Sequence, residues 1–217
     1  MPSMQTGRFI SFEGPEGGGK STQAKRLAER LRRERGVEVR FTREPGGTST
    51  GELIRNILQH DAAGEPLCPA SEVLLFCASR AQLCHDVLGP ALARGEWIVC
   101  DRFTDSTLAY QGYGRGYDVA TLRAFNAFAT GPVVPDLTIL LDLPAEAGLE
   151  RVLKRTPDGA RDRIESETLD FHRRLREGYL AIAREEPDRF AVLSTLDRTL
   201  DETAAEVWEI VERRFPR

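Results

Sequence analysis

The feature that most constrains this chain is a glycine-rich segment near its start, Gly14-Pro-Glu-Gly-Gly-Gly-Lys-Ser21. The segment fits the pattern G-x-x-x-x-G-K-[ST], and it lies between an apolar, β-prone run at residues 8–13 and a helix predicted over residues 20–35. Glycine allows backbone N–H groups to turn inward around a phosphate, and the start of a helix adds partial positive charge at the same place. A strand, this loop and a helix in succession therefore predict an α/β fold that binds a nucleotide.

The loop also predicts which residues hold the nucleotide. Lys20 is placed to reach the β- and γ-phosphates of ATP, and the hydroxyl of Ser21 is placed to ligate Mg²⁺. The predicted ATP-binding residues are consecutive: Gly14, Pro15, Glu16, Gly17, Gly18, Gly19, Lys20, Ser21 and Thr22. The chain has no Asn-Lys pair, so it lacks the N-K-x-D pattern of GTPases, and it also lacks LSGGQ. Small-metabolite kinases remain as the expected class.

Strands and helices alternate along the rest of the chain. Further strands are predicted at residues 37–41, 97–100, 136–141 and 190–193. Further helices are predicted at residues 49–60, 70–94 with a break near Gly89-Pro90, 145–155, 169–186 and 201–214. We therefore expect residues 1–217 to form one doubly wound α/β domain, a five-stranded parallel sheet with helices on both faces.

Composition narrows the expected partners. A hydrophobic share of 41% and a charged share of 29% are typical of a globular protein, and a net charge of −4 gives no overall basic surface for nucleic acid. No apolar run approaches the roughly 20 residues of a membrane span, and residues 1–7 lack a signal-peptide core. The 4 cysteines form no CxxC pair, so we expect buried, reduced thiols in a cytoplasmic protein with no membrane partner.

A second polar pair follows the third predicted strand. Asp101 and Arg102 stand where the carboxyl end of a parallel strand faces the ligand crevice. The Asp101 carboxylate can hold Mg²⁺ or its waters beside the phosphate loop, and the Arg102 guanidinium can grip an acceptor phosphate. Asp142 follows the fourth strand in the same way but is a weaker candidate, because no arginine comes after it.

Four further segments, together with the phosphate loop, resemble the bacterial thymidylate kinases. They are T-R-E-P-G-G-T at residues 42–48, L-F-C-A-S-R-A-Q at 75–82, D-R-F followed by S-T-L-A-Y-Q-G within 101–112, and D-R-I-E at 162–165. The resemblance implies a P-loop kinase fold with a short arginine-rich lid and a homodimer. It also implies transfer of the γ-phosphoryl group of ATP to dTMP, which gives dTDP for dTTP biosynthesis.

The resemblance also implies an acceptor site. Phe76 lies where the family stacks an aromatic ring on thymine, and Arg102 matches the arginine that binds the dTMP phosphate. The full set implied for dTMP is Glu13, Arg43, Glu44, Phe76, Arg80, Arg102, Ser106, Thr107, Tyr110 and Gln111. Read from the residues alone, Phe76 and Tyr110 are more typical of a hydrophobic core than of a ligand platform.

A basic segment at residues 151–163 carries the expected lid. Arg151, Lys154, Arg155, Arg161 and Arg163 surround the turn sequence T-P-D-G at 156–159. None of the variable phosphate-loop positions at 15–18 is basic, so the positive charge that phosphoryl transfer needs must come from the lid. The predicted catalytic residues are Lys20, Arg102, Arg155, Arg161 and Arg163, and the order of importance within the lid stays open.

Two other functions fit parts of the pattern. One is a kinase for another acceptor, such as another pyrimidine nucleotide or a deoxynucleoside. Deoxynucleoside kinases share the acidic-arginine strand end, although the segment at 42–48 argues against them. A switch that binds ATP without turnover could share the phosphate loop. The intact Lys20, Ser21 and Asp101 argue against the switch.

Overall fold

The computed structural model describes residues 7–60, 64–155 and 167–217. Within these ranges, five strands form one all-parallel sheet in the order β2-β3-β1-β4-β5. The strands are β1 (Phe9–Glu13), β2 (Val39–Arg43), β3 (Trp97–Asp101), β4 (Leu137–Asp142) and β5 (Phe190–Ser194). The predicted five-stranded parallel sheet of an α/β fold is confirmed.

Helices connect the strands and cover both faces of the sheet. They are α1 (Lys20–Arg35), α2 (Ser49–His60), α3 (Pro69–Leu83), α4 (Gly89–Ala93), α5 (Thr104–Thr107), α6 (Val119–Thr130), α7 (Ala145–Arg155), α8 (Leu169–Glu185) and α9 (Leu200–Arg214). Two wider, π-helical turns interrupt this series, at Cys84–Leu88 between α3 and α4 and at Leu108–Gly114 after α5. In the described part of the chain, none of these helices has the length and apolarity that crossing a membrane requires.

Each face of the sheet has its own hydrophobic core. Ile10 and Phe12 of β1 are fully buried in a cluster with α1 and α9, to which Trp208 contributes an aromatic ring. Phe9, one position earlier, lies in a different cluster, with α3, α4 and Phe103. Successive residues of a strand point to opposite faces, so the unbroken apolar sequence of β1 follows from burial on both sides.

The register of the parallel strands brings polar residues to one edge of the sheet. Phe12 of β1 and Arg43 of β2 both pair with Asp101 of β3. The backbone N–H of Arg102 donates to Phe12 over 2.9 Å, and that of Glu44 donates to Asp101 over 3.0 Å. The carboxyl ends of the three strands are therefore level, as a ligand crevice in this type of fold requires.

The structure corrects two element boundaries. β2 covers Val39–Arg43 instead of residues 37–41, because its pairing with β3 continues to Asp101. The break expected near Gly89-Pro90 takes the form of the π-helical turn just before α4. Pro90 lacks an N–H group, so it cannot close a regular helical turn, and a widened turn accommodates this.

Two further features differ from expectation. The helices within residues 104–130 have no counterpart among the predicted elements, although Asp118 caps α6 by accepting from the backbone N–H of Thr121 over 2.7 Å. Aspartate is among the residues preferred at an N-cap, so the sequence does carry a signal for this helix start. Cys68 is exposed at the start of α3, in contrast to the buried position expected for all four cysteines.

Candidate active site

The phosphate loop links β1 to α1 and has the backbone that phosphate binding needs. Gly14 and Gly17 have φ values of 139° and 73°, which L side chains rarely adopt. Lys20 is buried, and its Nζ donates to the Pro15 carbonyl oxygen over 2.7 Å. Burial, with a contribution from the nearby positive charge of Arg102, lowers the Lys20 pKa to about 8. An anion beside Nζ would offset both effects.

Ser21 and Asp101, the two predicted magnesium ligands, lie together. The Ser21 hydroxyl donates to Oδ2 of Asp101, across the gap between α1 and β3. The other carboxylate oxygen, Oδ1, is buried and accepts no hydrogen bond from the part of the chain that the structure describes. A buried oxygen without a donor fits a cation site. No cluster of three His, Cys, Asp or Glu side chains occurs among the described residues, so such a cation would depend on phosphate oxygens or water for its remaining ligands.

The predicted acceptor residues gather around a cavity of about 460 Å³, part of it open to solvent. Eight of the ten line it: Glu44, Phe76, Arg80, Arg102, Ser106, Thr107, Tyr110 and Gln111. Glu13 lies beneath the cavity, where it hydrogen-bonds Ser106, and Arg43 lies at the end of β2. Space of this size suits a small molecule, and the π-helical turn Leu108–Gly114 contributes two of its walls, Tyr110 and Gln111.

Arg102 and Glu16 join this acceptor cavity to the phosphate loop. Arg102 donates to Glu16 over 2.6 Å and to the Tyr110 hydroxyl over 2.8 Å, and the hydroxyl in turn donates to Glu16 over 2.6 Å. Burial alone would raise the Glu16 pKa, but the charges of Arg102 and Lys20 outweigh it and hold the pKa at about 2. Arg102 also has φ 68°, a strained backbone for a residue with a side chain. Glu16 and Arg102 line the acceptor cavity, and they also line a second cavity at the phosphate loop.

Two further arginines, Arg43 and Arg55, lie close enough to Arg102 for the charges to interact. Arg43 pairs with Glu52 at 2.9 Å, and Arg55 donates to the Pro45 carbonyl over 2.9 Å. Burial lowers the Arg55 pKa, and the positive charges of Arg43 and then Arg102 lower it further. The positive charges of Arg43 and Arg102 thus act on Arg55, and a group of cations of this kind favours an anion such as a phosphate.

Glu13 is a buried carboxylate under the acceptor cavity. It accepts from the Phe103 backbone N–H over 2.7 Å, from Ser106 over 2.6 Å and from Tyr179 over 3.0 Å. Complete burial, with a contribution from the negative charge of Asp105, raises its pKa to about 7. The carboxyl group therefore changes its charge close to neutral pH, which follows from the tertiary structure and not from its place in the sequence.

Arg80 lines the cavity with a guanidinium that is hydrogen-bonded inside the protein. It pairs with Glu44 at 2.6 Å and donates to Thr107 over 3.0 Å and to Asn126 over 2.6 Å. A further bond of 3.2 Å goes to the Phe103 carbonyl oxygen. Each guanidinium nitrogen thus has an acceptor, so Arg80 braces the cavity wall. Its contact with base or phosphate stays a prediction.

The lid is described only at its start. Arg151 of α7 donates to Gly17 over 3.3 Å and to Thr195 over 2.9 Å, and it lines the phosphate-loop cavity. The side chain of Arg155 and the whole of Arg161 and Arg163 lie outside the described residues, so their catalytic roles stay predictions.

Asp142, the weaker candidate after β4, does have an arginine partner, although one that is distant in sequence. Arg176 of α8 donates to its two carboxylate oxygens over 2.7 and 2.9 Å.

Several residues of the site have no clear signal in the sequence. They are Glu72, Asn126, Gly148 and Tyr179, which reach it from α3, α6, α7 and α8, and Arg55 of α2. Among them, only Arg55 could have been suspected from the sequence, because it is a cation that closely follows the segment at residues 42–48. The others become relevant only when the helices pack together.

Gly148 generates the first prediction. A Cβ atom there would overlap the Glu16 carbonyl oxygen, so even alanine must displace the phosphate loop. We expect Gly148→Ala to weaken ATP binding by about tenfold or more, because catalytic loops tolerate little displacement. Calorimetric titration with a non-hydrolysable ATP analogue measures this, with the melting temperature as a check on folding. Unchanged affinity would contradict the close packing of α7 on the loop.

Glu13 generates the second prediction. Its folded pKa of about 7 lies above the ordinary 4.5, so its contribution to stability is present below pH 4.5 and is lost as the pH rises to about 7. Relative to Glu13→Gln, the wild-type protein should therefore lose on the order of 2 kcal/mol of unfolding free energy over this interval. Urea unfolding at a series of pH values measures the difference. A difference independent of pH would show that Glu13 titrates normally.

Known proteins resemble this chain over almost its whole length. Residues 12–207 match the family model of thymidylate kinase. The thymidylate kinase of a Synechococcus species is 50% identical and covers 96% of each chain, and that of Deinococcus radiodurans is 49% identical and covers 97% of this chain and 99% of its own. The crystal structure of thymidylate kinase from Ehrlichia chaffeensis has a TM-score of 0.76 and 34% identity, with coverage of 95% of this chain and 98% of that chain. This chain belongs to the thymidylate kinase family.

Proposed function

We propose that the protein transfers the γ-phosphoryl group of ATP to dTMP, giving dTDP and ADP. The observation that carries the proposal is that Arg102 and Glu16 line both the phosphate-loop cavity and the acceptor cavity. A donor phosphate held by the loop and an acceptor phosphate held by Arg102 would therefore meet. The identity of the acceptor rests on the membership in the thymidylate kinase family.

On the donor side, the loop glycines and Lys20 would hold the β- and γ-phosphates. Ser21 and Asp101 would hold Mg²⁺, in keeping with the buried oxygen of Asp101 that lacks a donor. When bound, the ion neutralises charge on the phosphate oxygens. Arg151, whose guanidinium bridges the loop and the segment after β5, would close the nucleotide site.

On the acceptor side, the dTMP phosphate would take the place of the Glu16 carboxylate beside Arg102. Arg43 and Arg55 add positive charge at the same point, which favours a dianionic group. Phe76 and Gln111 line the other part of the cavity, where a base would lie. Ser106, which donates to Glu13, and Tyr110, which donates to Glu16, line the cavity between these parts, at the expected position of the sugar.

In the reaction, an oxygen of the dTMP phosphate would attack the γ-phosphorus, and the bond from that phosphorus to the β,γ-bridging oxygen would break. The acceptor phosphate is already a nucleophile at neutral pH, so a covalent enzyme intermediate is unnecessary. The remaining task is to hold the two phosphates in line and to stabilise developing negative charge. Lys20 and Arg102 would do so from the described site, and Arg155, Arg161 and Arg163 are the proposed sources of lid charge.

We also propose that the protein is a cytoplasmic homodimer. Apolar side chains are exposed on a layer in which α3 packs between α2 and α6: Leu53 at 68%, Leu74 at 55%, Phe125 at 41% and Phe128 at 91%. Burial of such a surface in a two-fold contact stabilises an oligomer. The four free cysteines are in keeping with a reducing compartment.

The activity is tested by ADP release with Mg-ATP and a panel of acceptors: dTMP, dUMP, dCMP, UMP, AMP and thymidine. We expect strong preference for dTMP. Lys20→Ala should abolish turnover, and Arg102→Ala should lower kcat/KM for dTMP by at least about tenfold, because the acceptor phosphate loses its paired cation. Omission of Mg²⁺ should also abolish turnover.

Arg123 provides the control for this experiment. It pairs with Glu185 and Glu186 outside both cavities, so Arg123→Ala should retain kcat/KM for dTMP. Preference for another acceptor would leave a kinase but overturn the proposed substrate. ATP binding without turnover on any acceptor would support a switch instead.

The dimer is tested by light scattering after gel filtration. Phe128→Arg should convert the dimer to a monomer, because it places a charge at the centre of the exposed apolar layer. Val192→Arg serves as the control, since Val192 is 51% exposed on the edge strand β5, away from this layer. A wild-type protein that elutes as a monomer would contradict the proposal.

A further inference from the structure

Behind the acceptor cavity, a buried carboxylate contacts one of the residues that line it. Glu72 of α3 is 2% exposed, and its Oε1 accepts from the Nε2 of Gln111 over 2.8 Å. The same oxygen accepts from the Nε of Arg115 over 2.9 Å. Arg115 is held in turn by Glu167 at 2.9 Å. Gln111 and Arg115 belong to or directly follow the π-helical turn that forms a wall of the cavity.

This contact decides which end of the Gln111 amide faces the cavity. An amide has a donor end, the NH₂ group, and an acceptor end, the oxygen, and rotation by 180° exchanges them. A carboxylate paired with a guanidinium only accepts hydrogen bonds, so it selects the NH₂ end. Because Gln111 is buried against Glu72 on one side and lines the cavity on the other, its Oε1 is left to face the cavity.

The pyrimidine bases differ at the atom that such an oxygen would read. Thymine and uracil carry a hydrogen on N3 and can donate it, whereas the N3 of cytosine is an acceptor. An amide oxygen binds the first and repels the second. A donor from Arg80 would favour the N3 of cytosine, but each of its three guanidinium nitrogens already has an acceptor within the described part of the chain.

We propose that Glu72 is a positioning residue that sets the base preference of this kinase, by holding the Gln111 amide with its oxygen toward the N3–H of a thymine or uracil ring. The inference rests on the proposed function and extends it to specificity. Glu72 itself touches no substrate. It acts through Gln111, and its removal should alter which base is accepted more than how fast the phosphoryl group is transferred.

The test compares kcat/KM for dTMP, dUMP and dCMP in the wild-type protein and in Glu72→Gln. The variant keeps the shape of the side chain, but its amide can also donate, so the Gln111 amide is free to turn. We expect the preference for dUMP over dCMP to fall about tenfold, the effect of one hydrogen bond. The preference for dTMP over dUMP should stay unchanged, since it depends on the 5-methyl group, which Gln111 does not read.

Two further variants separate positioning from general damage. Glu167→Gln removes a carboxylate from the same arginine without touching Gln111, so both ratios should match the wild type. The double variant Glu72→Gln, Gln111→Glu exchanges the amide and the carboxylate. It should restore the preference for dUMP over dCMP, because both oxygens of Glu at position 111 are acceptors. A Glu72→Gln variant in which all three substrates lose activity equally would overturn the proposal, as would a double variant that shows no recovery.

If Glu72→Gln does not fold, which circular dichroism detects, the wild-type protein still provides a test. Preference for dUMP over dCMP is expected, and equal use of the two would overturn the proposal. Wild-type activity with none of the three acceptors would instead contradict the proposed function. Failure of the inference and failure of the function are therefore distinguishable.

Discussion

The pairing of Arg102 with Glu16 holds the two halves of the site in one geometry. Glu16 lies in the loop after β1, and Arg102 follows β3, so the parallel pairing of these strands brings the two charges to within 2.6 Å. Both groups are largely buried, where a lone charge would be costly and a paired one is retained. An incoming phosphate can replace the carboxylate beside Arg102 without leaving the guanidinium unpaired. The pair thus already has a charge arrangement that suits the proposed phosphate substrates.

Buried charges around this pair are only partly compensated. Burial raises the pKa of Glu13 to about 7 and lowers that of Lys20 to about 8, so both groups exchange protons near neutral pH. Burial and the positive charges of Arg43 and Arg102 likewise lower the pKa of Arg55. Phosphate groups in both cavities would stabilise the cationic forms, and substrate binding and protonation are therefore expected to be coupled.

The acceptor cavity is preorganised by polar contacts between elements that are distant in sequence. Arg80 of α3 connects the loop after β2, through Glu44, with α5 and α6, through Thr107 and Asn126. Glu72, about two turns earlier on α3, holds the π-helical turn through Gln111. Because these side chains are buried and hydrogen-bonded to one another, their orientation precedes ligand binding, which reduces the cost of recognition.

The sequence by itself determined the phosphate loop and the alternation of strands and helices, because Gly-rich turns and apolar runs act through local geometry. Most of the residues predicted to bind the acceptor came instead from the resemblance to a known family. Local patterns missed the helices within residues 104–130 and placed β2 two residues early, since pairing with β3 sets that register. Only the tertiary structure decided the pKa of Glu13, the pairing of Asp142 with Arg176, and the orientation of Gln111 against Glu72. Each depends on burial and on partners more than 30 residues away in the chain, which no local pattern records.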